Sequence, residues 1–284
     1  HAYLLCNIME NNIQCLTQAC IQHDISFHIS DDSGHVARVD IGPGLIFRNN
    51  VTPFNSEAMA KVCLDKSQTY ALLHQQMRMP ETLGFLDTDV EPKYQHYLHY
   101  ATLPDIVAHI EQTLSYPVVI KMNRGSLGQQ VYLCHDPIAI TNALRIIFDK
   151  QTYPYDYLAL AQEQIQLGQE FRVVFFRQKL LLCYERVAPN AAFGLRYWDM
   201  PQGHTKKITD PGILAEITQF VQPALQLPGL HYVGLDLIRD DQGDWCLLEM
   251  NSGPAYDHYI QFYGQDDIVA LYANMLCMER ERYS

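Results

Sequence analysis

Ile13, Leu16, Ala19, Cys20 and His23 recur at intervals of three and four between Met9 and about His23, a spacing that predicts an amphipathic helix. HVARVDIG and GLIFR follow, separated by Gly42-Pro43-Gly44, and read as two strands around a turn. Asn55 and Ser56 supply an N-cap before EAMAKVCLDKSQTYALLHQQM, which predicts one helix ended by Met79-Pro80. A loop rich in tyrosine and histidine leads to a helix over LPDIVAHIEQTL and a buried strand over YPVVIKM. Then come a glycine loop, a strand VYLC, a helix PIAITNALRIIFDK and a strand LALAQEQI. The remainder alternates strands EFRVVFF, KLLLCYERV, YVGLDLI and WCLLEMN with helices near Gly212 to Gln226 and from Asp266 to Arg282. Neither an internal repeat nor a low-complexity linker interrupts the pattern, so it predicts subdomains packed together rather than tethered.

The most informative stretch runs from Tyr232 to Tyr259. Asp240-Asp241-Gln242-Gly243-Asp244 has the composition of a hairpin turn, and pairing the runs on either side brings Asp236 toward Glu249 and Asn251. Residues two apart on a strand share a face, so Glu249 and Asn251 point together while Met250 turns into the core. Two carboxylates and an amide oxygen form a hard-oxygen set that suits Mg²⁺ held partly by nucleotide phosphates. The same residues also fit an acidic hairpin with a solvated face.

Three further constellations carry chemistry, each with a plainer structural alternative. Lys121 ends an apolar strand and precedes a loop containing Gly125, Ser126 and Gly128, whose backbone N–H groups can cradle phosphate; a glycine hairpin beside a surface lysine fits equally. The loop matches neither a Walker A motif nor a dinucleotide fingerprint. Glu163, Gln164 and Ile165 can present a donor and acceptor edge to adenine, and Glu170 can accept both ribose hydroxyls, although a solvated turn explains them as well. Arg172 and Arg186 lie on consecutive strands beside apolar runs, where a guanidinium is matched to a carboxylate or to a phosphate.

Composition narrows the classes. The formal charge of −12 argues against nucleic acid as the main partner, since phosphate contacts need clustered Lys and Arg. No apolar run approaches the roughly 20 residues of a membrane span, and the start AYLLCNIMENNIQC lacks a basic n-region, so the expectation is a cytoplasmic protein without a membrane partner. Eight cysteines without a CxxC pair read as buried reduced thiols.

Taken in order, DK at a helix end, VVIK with its glycine loop, QEQI…GQEFRVVFF, KLLLCYERV and GLDLI…LLEMNSGP resemble the ATP-grasp superfamily, from about Asn55 to Asn274. The EFRVV and YERV elements are most similar to RimK-type and cyanophycin-synthetase-type carboxylate–amine ligases. The resemblance implies an α+β fold in which two α+β subdomains grip ATP beside an abbreviated N-terminal α/β subdomain. The expected division is 1–100 for the N-terminal part and linking helix, 101–165 for the lid, and 166–284 for the C-terminal part with the metal site. It also implies Lys66 and Lys121 on the phosphates, Glu163 to Ile165 on adenine and Glu170 on ribose. One or two Mg²⁺, or Mn²⁺, would sit on Asp236, Glu249 and Asn251, with Arg172 and Arg186 near the γ-phosphate and the acceptor carboxylate. Met122 stands where many relatives have proline. Arg196, Tyr197 and Trp198 lie on the expected acceptor-side loop. The implied reaction phosphorylates a carboxylate of an amino acid, small peptide or peptide tail and then forms an amide bond. A small-molecule kinase of the inositol-phosphate type and a non-catalytic ATP- or peptide-binding module are the alternatives, and a homo-oligomer stays open.

Overall fold

Three antiparallel sheets organise the computed structural model, which describes residues 10–125, 128–188 and 203–284. The first sheet contains β1 (Phe27–Ile29), β2 (Val36–Val39) and β3 (Leu45–Arg48) in that order, and helix α1 (Asn11–Gln22) packs on it. Ile13, Leu16, Ala19 and Cys20 form the buried face of α1 as their spacing predicts, with His23 just past its end. Three residues are too few for an alternating pattern, which is why β1 is invisible in the sequence.

The long helix predicted after Ser56 is broken in two. Ser56 caps α2 (Glu57–Cys63) by accepting from the Met59 N–H, but Asp65 then caps a second helix, α3 (Lys66–Leu73), by accepting from the Gln68 N–H. An aspartate that satisfies a helix N-terminus competes with continuation of the preceding helix. Asn55, instead of capping, accepts through Oδ1 from the backbone N–H groups of His231 and Tyr232, at 2.7 and 2.8 Å.

The second sheet holds β4 (Thr82–Leu86), β5 (Val118–Met122), β6 (Val131–Cys134) and β7 (Leu158–Glu163) in the order β4-β7-β5-β6. Helices α4 (Leu103–Thr113) and α5 (Pro137–Ile147) cover one face of it, with Ile106, Ile110, Ile140 and Leu144 packed on Val118, Ile120 and Met122. Strand β4 occupies the segment where the pattern predicts only a loop. It lies on the N-terminal side of residue 100 and still pairs into this sheet.

The third sheet runs β10-β9-β8-β11-β12, from β8 (Leu167–Phe176), β9 (Lys179–Val187), β10 (His204–Lys207), β11 (Tyr232–Asp240) and β12 (Trp245–Asn251). Its two faces differ. Phe171, Val173, Phe175, Val233, Leu235 and Met250 point to one side, into a core shared with α2, α3, α6 (Pro211–Phe220) and α7 (Gln222–Leu225). On the other side each strand changes character along its length. Val174, Phe176, Leu182, Tyr184 and Tyr232 join a core with α1, the first sheet, α8 (Asp257–Tyr263) and α9 (Asp266–Tyr283), whereas Glu170, Arg172, Arg186 and Asp236 continue the same face with charge. One sheet face thus anchors the fold at one end and carries chemistry at the other. Each fully buried Phe or Tyr at the apolar end contributes about 1.5 to 3 kcal/mol from burial alone.

Candidate active site

Between the second and third sheets lies a cleft of about 220 Å³. One wall is the four-stranded sheet. Val119 and Lys121 reach the cleft from β5 while Ile120 turns into the core, the alternation expected of a strand buried on one side, and Met122 at the strand end touches both core and cleft. Gly125 and Gly128 close the end of this wall, and Gly128 has φ +67°, a conformation that side chains other than glycine rarely adopt. Ser126 lies outside the described residues. Burial, helped by the nearby Lys66 charge and opposed by Glu249, pushes the Lys121 ammonium down to about 8.

Lys66 spans the opening. Its Nζ donates to the Gly125 carbonyl at 2.6 Å and lies 3.3 Å from Glu249 Oε2, so one ammonium touches both walls. A compact group of polar residues sets its position. Asp65 accepts from the Ser67 hydroxyl at 2.7 Å and pairs with Arg124 at 3.4 Å; Asn123 accepts from the Ser67 N–H at 2.9 Å. Burial would raise the Asp65 carboxyl, but Ser67, Asn123, the Gln68 N–H and Arg124 hold it below its ordinary value. The start of α3 is thereby tied to the end of β5.

The third sheet supplies the other wall through Ile238, Leu248 and Glu249. Arg172, Asp236 and Glu249 face one another across three strands, and Gly234 is paired with Asn251. The pairing of β11 with β12 slips by one residue after Asp236, so Leu248 is the extra residue of a β-bulge and joins Glu249 in lining the cleft. Arg172 pairs with both oxygens of Asp236, the second contact at 2.9 Å. Arg186 reaches Asp236 at 3.3 Å and Glu170 at 2.5 Å. Burial would raise the Asp236 carboxyl, yet the two guanidiniums hold it well below the usual carboxylate range. Asn251 Nδ2 donates to Glu249 Oε1 at 3.3 Å, so the two residues share a face as predicted.

The sequence-predicted residues therefore fall into two adjoining groups. Lys66, Lys121, Gly125, Gly128, Glu163, Gln164, Ile165 and Glu249 line one cleft. Glu170, Arg172, Arg186 and Asp236 form an ion-pair network beside it, and Glu170 is engaged by Arg186. Glu163 also accepts through Oε1 from the Glu81 N–H at 3.1 Å. Arg196, Tyr197 and Trp198 lie outside the described residues. Asp65, Asn123 and Arg124, which hold Lys66, escaped the sequence reading; the capping signal of Asp65 ahead of Lys66 could have pointed to the first. Hard oxygen donors on Glu249 and Asn251, with Asp236 opposite and an ammonium already 3.3 Å from Glu249, are a set that fits Mg²⁺.

Two sheets closing on a cleft that carries paired lysines, a glycine turn and a carboxylate–amide pair define an ATP-grasp protein. The RimK-like ATP-grasp domain model matches residues 64–271, and the chain belongs to that family, whose members are ATP-dependent ligases. A bifunctional glutathione synthetase from Pasteurella multocida superposes with a TM-score of 0.53 at 16% identity, covering 94% of this chain and 44% of that one. VanG D-Ala:D-Ser ligase from Enterococcus faecalis gives 0.53 at 16% identity over 74% and 62% of the two chains. D-alanine–D-alanine ligase from Bacillus anthracis gives 0.51 at 18% over 78% and 70%. The chain thus spans less than half of the glutathione synthetase and under two thirds of VanG. No curated protein sequence matches it. Among the described residues no helix is long and apolar enough to cross a membrane.

Proposed function

We propose that this chain is an ATP- and Mg²⁺-dependent carboxylate–amine ligase acting on an amino acid, a small peptide or a peptide tail through an acyl phosphate. The observation that carries the reading is the convergence on one cleft of Lys66 from the start of α3, Lys121 from the second sheet and Glu249 from the third. Lys121 and Lys66 hold the phosphates, the backbone around Gly125 and Gly128 closes over them, and Glu163 to Ile165 border the adenine. Glu249 and Asn251, with Asp236 beside them, hold Mg²⁺, which when bound neutralises phosphate charge. Arg186 stabilises the acceptor side, and Arg172 keeps Asp236 anionic and in place. The γ-phosphoryl passes to the carboxylate, the amine displaces phosphate from the mixed anhydride, and a closed cleft keeps water from that anhydride.

Incubation with Mg²⁺-ATP, pooled amino acids and small peptides, and hydroxylamine is the direct test, with ADP and hydroxamate followed by mass spectrometry. Hydroxamate formed with ADP supports the ligase and names the carboxylate. A stably phosphorylated product selects a kinase instead.

The Lys121 ammonium gives a pH signature. It carries its charge below about 8 and loses it above. ATP affinity of the free protein is expected to fall by about tenfold or more between pH 7 and 9.5, read by calorimetry. Protein stability moves oppositely. Lysine titrates near 10.4 when unfolded, so between the two values the unfolded chain binds more protons, and this group's contribution to stability rises with pH. Falling affinity alongside unchanged or rising stability excludes unfolding as the cause; pH-independent affinity would remove Lys121 from the phosphate site.

A further inference from the structure

The backbone that leaves the donor strand is held from outside the family-matched span. Ser252, Gly253 and Pro254 come directly after Asn251. Asn50 donates through Nδ2 to the Gly253 carbonyl, Asn12 donates to the Pro254 carbonyl at 3.2 Å, and the Ser252 hydroxyl donates to the Ala60 carbonyl at 3.4 Å. Asn12 is fully buried, and both asparagines precede residue 64, where the family match begins.

The fit around this segment is close on both sides. Asn50 sits in the tight turn that ends β3, closed by reciprocal backbone hydrogen bonds between Arg48 and Val51 at 3.0 and 2.8 Å. A Cβ on Gly253 would lie 2.7 Å from the Asn50 carbonyl oxygen, so only glycine lets the two backbones meet. Opposite, Pro254 rests on Gly234, where a Cβ would come within 3.0 Å of it, and Gly234 is the register partner of Asn251. The segment is clamped between the N-terminal turn and the sheet that carries the oxygen donors.

We infer that Asn50 is a positioning residue of the metal site: by fixing Gly253 it aims Asn251 and Glu249, and so makes the N-terminal sheet part of the catalytic apparatus. The inference rests on the ligase reading of Glu249 and Asn251 as metal donors. Groups that orient donors commonly set metal affinity without touching the metal. A purely structural staple would change stability alone.

The test uses the full chain and calorimetry with a non-hydrolysable ATP analogue, once in EDTA and once with Mn²⁺, and takes the metal-dependent gain in affinity. Asn50→Ala and Asn50→Asp are expected to reduce that gain by about tenfold while leaving affinity in EDTA unchanged. Asn50→Asp is informative because it keeps the shape and replaces the amide donor with an acceptor facing the Gly253 carbonyl. Should Asn50→Ala fail to fold, Asn50→Ser carries the same expectation, since its hydroxyl is too short to reach. A gain within about twofold of wild type in Asn50→Asp, when Glu249→Gln has lost it, overturns the inference and leaves the ligase reading standing. A wild-type chain with no metal-dependent gain overturns both.

Discussion

Glu249→Gln is expected to lower Mg²⁺-dependent turnover by about a hundredfold or more while the unfolding midpoint stays near that of wild type. Both halves of that expectation come from the geometry. Of the three proposed metal donors Glu249 is the one that lines the cleft directly, it lies beside Asn251, and its other oxygen faces Lys66 at 3.3 Å. Glutamine keeps the volume and removes the charge that a divalent cation needs. The side chain is only partly buried, at 28% exposure, and Lys66 keeps the Gly125 carbonyl as a partner, so the exchange costs little stability. Steady-state turnover against Mg²⁺ concentration, together with thermal unfolding by circular dichroism, reads both quantities. Full activity in the variant would mean that the metal is held elsewhere.

Asp236→Asn acts on the fold instead. Arg172 and Asp236 are buried to 8 and 4% exposure, and Arg186 adds a second guanidinium at 3.3 Å. Removing the carboxylate charge leaves two guanidiniums in a poorly solvated place with, among the described residues, Glu170 as their remaining ion-pair partner. Breaking a buried pair of this kind costs about 3 to 5 kcal/mol, a large part of the stability of an ordinary domain. Urea unfolding without nucleotide or metal isolates this effect from any role in catalysis. The pH dependence supplies a check on sign. The folded-state carboxyl titrates below its unfolded value, so its contribution is complete above about pH 4 and fades as pH falls through the folded-state value. A variant within about 1 kcal/mol of wild type would show that the arginines do not depend on Asp236.

The contrast between these two carboxylates marks what can be read from a sequence. The hairpin placed Asp236 beside Glu249 and Asn251, because a turn composition and a two-residue period fix which side chains meet. The same logic brought Lys121 to the cleft and Met250 to the core. What the period cannot reveal is who neutralises whom. Arg172 lies opposite Asp236 only through the pairing of β8 with β11, strands that are 64 residues apart at this contact. Glu170 likewise meets Arg186 across a strand pair. The missed elements have local causes. Asp65 interrupts one apparent helix, β1 is too short to show a period, and β10, with the sequence HTKK, is too polar to read as a strand. The polar residues that hold Lys66 join the start of a helix to the end of a strand almost 60 positions away, a relation that exists only after folding.

Leu248 has a separate consequence. On either side of it the pattern of β12 is regular, with Leu247 and Met250 in the core and Glu249 facing outward opposite Asp236. A strand with one surplus residue is a place where chain length can change without inverting the side chains beyond it. Excising Leu248 would leave Glu249 and Asn251 on the same side and remove only an apolar piece of the cleft wall. Excising Leu247 gives the same chain, whereas excising Glu249 would put a leucine in the donor position. Natural insertions and deletions in this hairpin are expected to collect at the Leu247-Leu248 pair, which offers a site for remodelling the cleft by length rather than by substitution.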